Sequence, residues 1–437
     1  MPPNKPLLAG VARRVISPSR GVFLIGYGDR SSGNIGIHDD LTSTALVLHG
    51  DGMRLAIVAL DMLAINEFIV DRVRGSLPGF EVLLCCSHTH SGPIAYAGKK
   101  SPKKDRVFID FLVREITRCV ADAFASLHPS VLEYSSGQAG IAINRREKMP
   151  DGHMEIGRNP TGVVDRSLQV ISILGNNHQR VATLINFACH GTVLGPDNLL
   201  VSADWIGAMR SRLEADLGGL ALFLQGATAN LNPDMYWKDE RMFEKVTEQG
   251  EIVAKAVRDA LEHGKKVIHT SPLQIVRQEA WIPTETPVTT SRPPRNYARQ
   301  LLSMAKLPGW MVVFADLLLN QRYPWKSRIE PVGGFWCVPM RVNTVRLGDL
   351  ALVTFAAETF TEIGLKIKAD SPARFTLFAS ITDGCISYLH TAASHSEGGY
   401  EVDTAPLAYR YPGRLSADGE KLALETASQG LASLWKR

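Results

Sequence analysis

The residues with most chemistry to offer stand where apolar runs stop. Leu83 to Pro93 reads LLCCSHTHSGP: a buried strand ending at about Cys86, then His88 and His90 at i, i+2, then a Gly-Pro stop. Extended backbone alternates its side chains, so this spacing aims both imidazoles to one side. The pattern suits a metal site or an acid–base pair, imidazole being the commonest side-chain metal ligand. It equally suits two loop histidines that only satisfy hydrogen bonds. It then recurs. Arg180 to Ala188 reads as a strand ending in Cys189-His190-Gly191-Thr192, Leu350 to Phe355 as one ending in Ala356-Ala357-Glu358-Thr359, and Arg374 to Ser380 as one leading into the Asp383 to Tyr388 loop. Two histidines and a carboxylate are the ligand set of many hydrolytic zinc sites, which keep a position for water and bring its pKa to about 7. Whether these strand ends converge is a matter of fold, and the alternative is a scatter of unrelated buried polar residues.

The elements that must position these groups follow from hydrophobic period and turn signals. Thr42 to Leu48 and Leu55 to Leu60 form a hairpin across His49-Gly50-Asp51-Gly52. Helices are expected at Phe68 to Leu77, Phe108 to Leu127, Asp204 to Leu217 and Asp239 to His263, with short strands at Leu168 to Leu174 and Leu220 to Gln225. Asn144 to Asp165 is polar and without period, an irregular excursion or part of a site. From about 270 to 337 the chain is rich in Pro, Arg and aromatics, and reads as a cap or insertion with helices near Asn296 to Leu307 and Met311 to Leu319. Val338 to Leu347 begins a last hairpin with Leu350 to Phe355, and an amphipathic helix ends the chain. No internal repeat, heptad run or low-complexity tract is visible. Strands interleaved with helices argue an α/β or α+β class, with mixed β-sheets flanked by helices.

Composition bounds the function. Forty-eight Lys and Arg against 44 Asp and Glu leave a formal charge of +4 on 437 residues, too weak a bias to argue for nucleic acid. The six cysteines show no CxxC spacing and sit mostly in apolar runs, as buried thiols of a reducing compartment do. The N-terminus lacks an apolar stretch long enough for a signal peptide, and the longest apolar run, Trp310 to Leu319, is broken by Asp316. The expectation is a cytoplasmic protein with no integral membrane segment.

An ordered set of short stretches resembles the catalytic domain of the neutral, or alkaline non-lysosomal, ceramidases. They are GYG and GIHDDL within Gly26 to Leu41, SHTHSGP at Ser87 to Pro93, INRR at Ile143 to Arg146, and NP with a following Gly and Asp at Asn159 to Asp165. NFACHGT at Asn186 to Thr192, SADWIG at Ser202 to Gly207, LGDLALVTFAAETFTEIG at Leu347 to Gly364, and SYLHT followed by GGYE at Ser387 to Glu401 complete the set. Each piece is weak; their order across nearly the whole chain is specific. The resemblance implies one catalytic zinc per chain, held by His88, His190, Glu358 and Tyr388, with a water completing the site. It places His90 beside the metal or on the substrate, and Arg145 and Tyr400 on the oxyanion formed as an amide carbonyl becomes tetrahedral. Asp204 either orients a zinc ligand or caps its helix, His38 braces the glycine loop or touches substrate, and His153 belongs to the surface or rim.

Two departures qualify the resemblance. The family carries a serine, once proposed as nucleophile, where Asn232 stands in Ala229-Asn230-Leu231-Asn232-Pro233-Asp234. An amide is no nucleophile, so a serine mechanism is excluded at that position while chemistry on a zinc-activated water is not. The family's C-terminal immunoglobulin-like domain has no counterpart in these 437 residues. The expectation is therefore one ceramidase-like catalytic domain over 1–437, a zinc-dependent hydrolase that cleaves an N-acyl amide, either ceramide-like or smaller and more soluble. A zinc-dependent esterase or lactonase is the competing reaction, and a non-catalytic binding homologue the competing class. Trp310, Trp325 and Trp336 either wall an acyl pocket or pack the cap. Sequence leaves the oligomeric state open.

Overall fold

In the computed structural model, residues 6–27, 30, 32–93, 95, 101–234, 241–293 and 328–435 are described. Three sheets carry the fold. The first runs in the order Glu81–Cys86, Met53–Leu60, Thr42–Gly50, Leu8–Val15, His128–Pro129. The second runs Leu220–Gln225, Arg180–Phe187, Ser167–Leu174, Val131–Gln138, Lys266–Val267. The third runs Leu273–Pro287, Phe335–Leu347, Leu350–Phe355, Phe375–Ala379, with Glu330–Val332 also on Phe335–Leu347.

The same unit is built three times, although no repeat shows in the sequence. Each sheet contains an antiparallel pair, then a helix, then a strand that returns parallel to the second member of the pair. The helices are Glu67–Gly75, Asp204–Leu217 and Thr361–Asp370, and the parallel pairs are 53–60 with 81–86, 180–187 with 220–225, and 350–355 with 375–379. A parallel return needs such a crossover, and ligands gather at the carboxyl ends of strands arranged this way. A few corresponding positions carry the same residue, Leu55 with Leu350, Ala56 with Ala351 and Phe187 with Phe355, but most differ, so it is chiefly the topology that repeats.

Inner faces of the three sheets share one core. Leu46, Leu55 and Ile57 of the first meet Ile171, Leu184 and Leu224 of the second and Val345, Leu352 and Leu377 of the third. Each outer face is covered by helices: the first by Glu67–Gly75 and Lys103–Ala125, the second by Asp204–Leu217 and Met242–Glu262, the third by Thr361–Asp370 and Asp418–Leu434. Near-continuous apolar runs such as LALFLQ at Leu220–Gln225 are what strands covered on both sides require.

Strands and helices lie where hydrophobic period places them, with three differences. Lys103–Ala125 starts before the expected Phe108, because its first turn is polar and Pro102, not an apolar residue, marks its opening. The excursion at Asn144 to Asp165 contains a hairpin, Ala142–Lys148 with Met154–Asn159, that also pairs with Leu231–Pro233. Its alternation is hidden because the buried positions hold Asn144, Arg145 and Arg146. The stretch read as a cap begins as a 15-residue strand of the third sheet, Leu273–Pro287, in antiparallel register with Phe335–Leu347. Trp336 is buried in that partner strand, while Trp310, Trp325 and both helices expected there lie outside the described residues. All six cysteines are free and buried. Among the described residues no helix is long and apolar enough to cross a membrane.

Asp383 fastens the third unit to the first. Its Oδ1 accepts from the Leu84 amide at 3.0 Å, and its Oδ2 accepts from Arg74 Nη2 at 2.6 Å and Asn343 Nδ2 at 3.0 Å. The carboxylate is wholly buried and the residue has φ 62, a conformation asparagine also tolerates. Asp383→Asn therefore keeps the backbone, strips Arg74 of its counter-charge, and is expected to cost on the order of 3 kcal/mol in urea unfolding.

Candidate metal centre

Three imidazoles and one carboxylate meet at the carboxyl ends of these parallel strands. The first strand stops at Cys86, and the chain then turns: His88 has φ 65, not the extended geometry that alternation assumed. The loop after the neighbouring strand imposes the turn. The His88 amide donates to Met62 O at 2.9 Å, and its ring Nδ1 donates to Leu63 O at 2.8 Å. His88 and His90 still converge, with Nε2 atoms 3.4 Å apart, but through this turn and not through a pleat.

His190 follows the second unit's hairpin. The His90 amide donates to Gly191 O at 3.0 Å, and Thr89 and Gly191 form a parallel bridge, so the two histidine loops lie against each other. A Cβ at Gly191 would stand 3.0 Å from His88 O, which explains the small residue. Asp204 opens its helix without capping it and instead braces the histidine loop. Its carboxylate accepts from the Val193 and Leu194 amides at 3.2 and 2.9 Å, while the neighbouring Trp205 indole donates to His190 O at 2.8 Å. Glu358 follows the third unit's hairpin in a two-residue strand parallel to Tyr388–Leu389.

Hydrogen bonding settles which nitrogen of each ring faces inward. Nδ1 of His88 meets Leu63 O, Nδ1 of His90 meets Gly26 O at 3.1 Å, and Nδ1 of His190 meets Thr228 O and Leu231 O at 2.9 and 2.7 Å. A carbonyl only accepts, so each Nδ1 carries the hydrogen and each Nε2 keeps a lone pair. Those lone pairs point at one another: His88 Nε2 lies 3.1 Å from His190 Nε2 and 3.2 Å from Glu358 Oε2, and His190 Nε2 lies 3.6 Å from the same oxygen. Four acceptors in contact repel unless a cation sits among them. Donor atoms held about 2.0–2.1 Å from a tetrahedral zinc stand about 3.3 Å apart, which these separations match. Glu358 Oε2 is buried without a hydrogen-bond partner, as a ligand oxygen would be. The cluster of His88, His90 and His190 can hold a metal ion, and Glu358 stands beside two of its members.

Electrostatics keep the His90 and His190 rings neutral. Burial, followed by the charge of Arg145, lowers His190 to about 4, and burial with the neighbouring imidazoles holds His90 well below its ordinary value. Burial opposes ionisation of Glu358, yet His88 and His190 hold its carboxyl well below the usual range. Neutral imidazole and ionised carboxylate are the ligating forms.

The remaining anticipated residues form a wall beside the cluster. Arg145, buried on the hairpin strand Ala142–Lys148, places Nη1 3.3 Å from both His190 Nε2 and Asn232 Oδ1. Its guanidinium lies over the Tyr388 ring, 5.5 Å from the centre, and the Tyr400 ring meets that ring edge-on at 5.7 Å. Tyr388 is buried, whereas Tyr400 is 40 % exposed and forms an edge of the site open to solvent. Burial and then Glu358 push the Tyr388 hydroxyl well above its usual range, so in the metal-free chain it is a phenol. His38 is exposed, pairs with Asp39 and stacks on Phe243; His153 is exposed between Asp151 and Glu155. Neither joins the cluster.

Three contributors escaped the sequence reading. Glu401 is buried and splits its carboxylate between Arg145 Nε and Arg146 Nη1, each at 2.9 Å. Two adjacent arginines with alternating polar neighbours called for a buried acid, and Glu401 stood in view in the GGYE stretch. Gln225 binds the histidine loops, donating to Ser87 O at 3.0 Å and Cys189 O at 2.8 Å. Arg30 is buried with its guanidinium on the carbonyls of Ile25, His90 and Pro196. A lone glutamine at a strand end and a lone arginine in a glycine-rich loop carry no pattern that would flag them.

Gly26 makes the approach to His90 possible. At φ 119, a Cβ there would stand 2.6 Å from His90 Nδ1. Gly26→Ala is expected to push the His90 ring from its carbonyl and to destabilise the fold by roughly 1–3 kcal/mol. Thermal unfolding measures the second effect, and the imidazole nitrogen resonances of His90 report the first.

Comparison with known proteins places this arrangement. Residues 8–230 match the family described as neutral/alkaline non-lysosomal ceramidase, N-terminal. The neutral ceramidase of Pseudomonas aeruginosa is 27% identical over an alignment of 245 residues that covers 50% of this chain and 35% of that protein. That of Mycobacterium tuberculosis is 27% identical over an alignment of 248 residues that covers 48% of this chain and 38% of its own length. The chain thus spans well under half the length of these curated relatives. The crystal structure of neutral ceramidase from Pseudomonas aeruginosa superposes with a TM-score of 0.74 at 19% identity, over 98% of this chain and 74% of that one, which shows the shared fold. With more than half its residues matched and its mixed-sheet fold in common, this chain belongs to the neutral/alkaline non-lysosomal ceramidase family.

Proposed function

We propose that this chain is a zinc-dependent amidohydrolase cleaving the amide bond of an N-acyl amide, ceramide-like or smaller. The observation that carries the proposal is the convergence of His88 Nε2, His190 Nε2 and Glu358 Oε2 at 3.1–3.6 Å, with His90 Nε2 3.4 Å from His88 Nε2 as a further unprotonated nitrogen and every Nδ1 already committed to a carbonyl. His88, His190 and Glu358 would hold the ion with Tyr388 as fourth protein ligand, and zinc so held would polarise a carbonyl and bring the pKa of a water to about 7.

The chain's own residues do the rest. Arg145, fixed by Glu401 and Asn232, offers positive charge to the oxygen of a carbonyl as it turns tetrahedral, and Tyr400, whose ring meets that of Tyr388 edge-on, would add a hydroxyl donor from the solvent side. His90, kept neutral with Nε2 unprotonated, accepts a proton there and passes it to the departing amine nitrogen. The family relatives are named neutral ceramidases, which supports an N-acyl amide with an apolar chain as the substrate class.

Elemental analysis of purified protein should find one zinc per chain, and a chelator should abolish amine release from N-acyl amides, a short-chain ceramide included. His190→Ala is expected to lose metal and activity together, whereas Arg145→Ala keeps the metal and loses turnover by about 10²–10³-fold. Stoichiometric zinc in His190→Ala would refute the ligand assignment. Zinc with ester but no amide turnover would replace the reaction.

A further inference from the structure

The aim of Arg145 rests on a residue outside the ligand set. Its Nε donates to Glu401 Oε1 at 2.9 Å and its Nη1 to Asn232 Oδ1 at 3.3 Å, with His190 Nε2 also 3.3 Å from Nη1. Two of the three guanidinium nitrogens are thereby committed. The third, Nη2, is buried and meets no acceptor in good hydrogen-bond geometry among the described residues, the Tyr388 hydroxyl being the guanidinium's other polar neighbour. A buried charged N–H without an acceptor is unfavourable, and its persistence points to an acceptor brought by a ligand.

Asn232 selects which nitrogen is left open. It lies in the three-residue strand Leu231–Pro233, whose Leu231 carbonyl also fixes the His190 ring. Arginine has donors only, so the amide atom facing Nη1 must be the oxygen. The amide is neutral. It therefore anchors the guanidinium without cancelling its charge, which a carboxylate at the same place would do.

We infer that Asn232 is a positioning residue that locks the Arg145 guanidinium so that Nη2 is the edge presented to the carbonyl oxygen of the substrate. This rests on the amidohydrolase reading, and its test is divided so that the two can fail separately. The first readout uses metal-free protein labelled with ¹⁵N-arginine, in which a guanidinium locked on both sides rotates slowly about Nε–Cζ and gives resolved Nη hydrogens; Arg145→Lys identifies the signal. In N232A the rotation is expected to become fast. In N232D, which keeps an acceptor oxygen, it stays slow. N232S, too short to reach Nη1, should behave as N232A and replaces it if that variant does not fold. The second readout is kinetics on the zinc-loaded protein: N232A should lose about a hundredfold in kcat with KM and zinc stoichiometry unchanged. Slow rotation in both N232A and N232S would overturn the inference, as would a raised KM with unchanged kcat. If the wild type turns over no amide, the rotation measurement still decides whether Asn232 fixes Arg145, and only the amidohydrolase reading falls.

Discussion

Gln225 is the contact on which the convergence of the three units depends. It ends the parallel strand of the second unit, and its wholly buried amide donates to Ser87 of the first unit and to Cys189 of its own, while its backbone carbonyl accepts from Ser380 of the third at 2.8 Å. The Cys86 amide closes the ring on Ile381 O at 3.2 Å. Strand ends from three sheets have no shared ladder, so side-chain and loop hydrogen bonds must do the joining. A buried amide left unpaired here would be costly, and that cost is what makes the junction specific. The candidate centre hangs on this ring: His88 follows Ser87, His190 follows Cys189, and Glu358 follows Ala357, whose carbonyl accepts from the Ile381 amide at 3.1 Å.

The charges around the cluster are arranged in opposition. Two arginines share one buried carboxylate, Glu401, leaving the wall beside His190 positive, while Glu358 sits on the far side against His88. A positive wall keeps His190 from taking up a proton, and the carboxylate supplies the negative charge a cation needs. The same asymmetry separates two tasks in a small volume. Under the proposed reaction, one side would bind a cation and the other would meet an oxygen as it gains charge. Burial strengthens both because little water is present to screen them.

Strand ends bearing His88, His90, His190 and Glu358 were legible in the sequence because apolar runs stopping at small or polar residues mark where a buried strand surfaces. The direction of the side chains was not, since His88 leaves the extended conformation under the pull of Met62 and Leu63, residues far from it in any local window. The hairpin of Ala142–Lys148 and Met154–Asn159 was missed for a related reason. Its buried face is polar, so a rule that equates burial with apolar character cannot see it. The threefold topology was equally hidden: a unit can repeat while most core side chains change, and a few shared residues such as Leu55 with Leu350 and Phe187 with Phe355 are too sparse to show as a repeat.

That topology has a consequence for how the site comes into being. His88, His190 and Glu358 belong to different units, and the chain between the first and last exceeds half its length. No early fragment of the polypeptide, however well its own sheet is formed, can assemble the ligand set. Long-range closure of this kind is slow and comes late in folding. Ion binding would then be thermodynamically linked to the docking of the third unit on the first two, and ion concentration would set the stability of the assembled chain. The protein would acquire its chemistry in one step, once the third unit docks, and lose it in one step when any unit lets go.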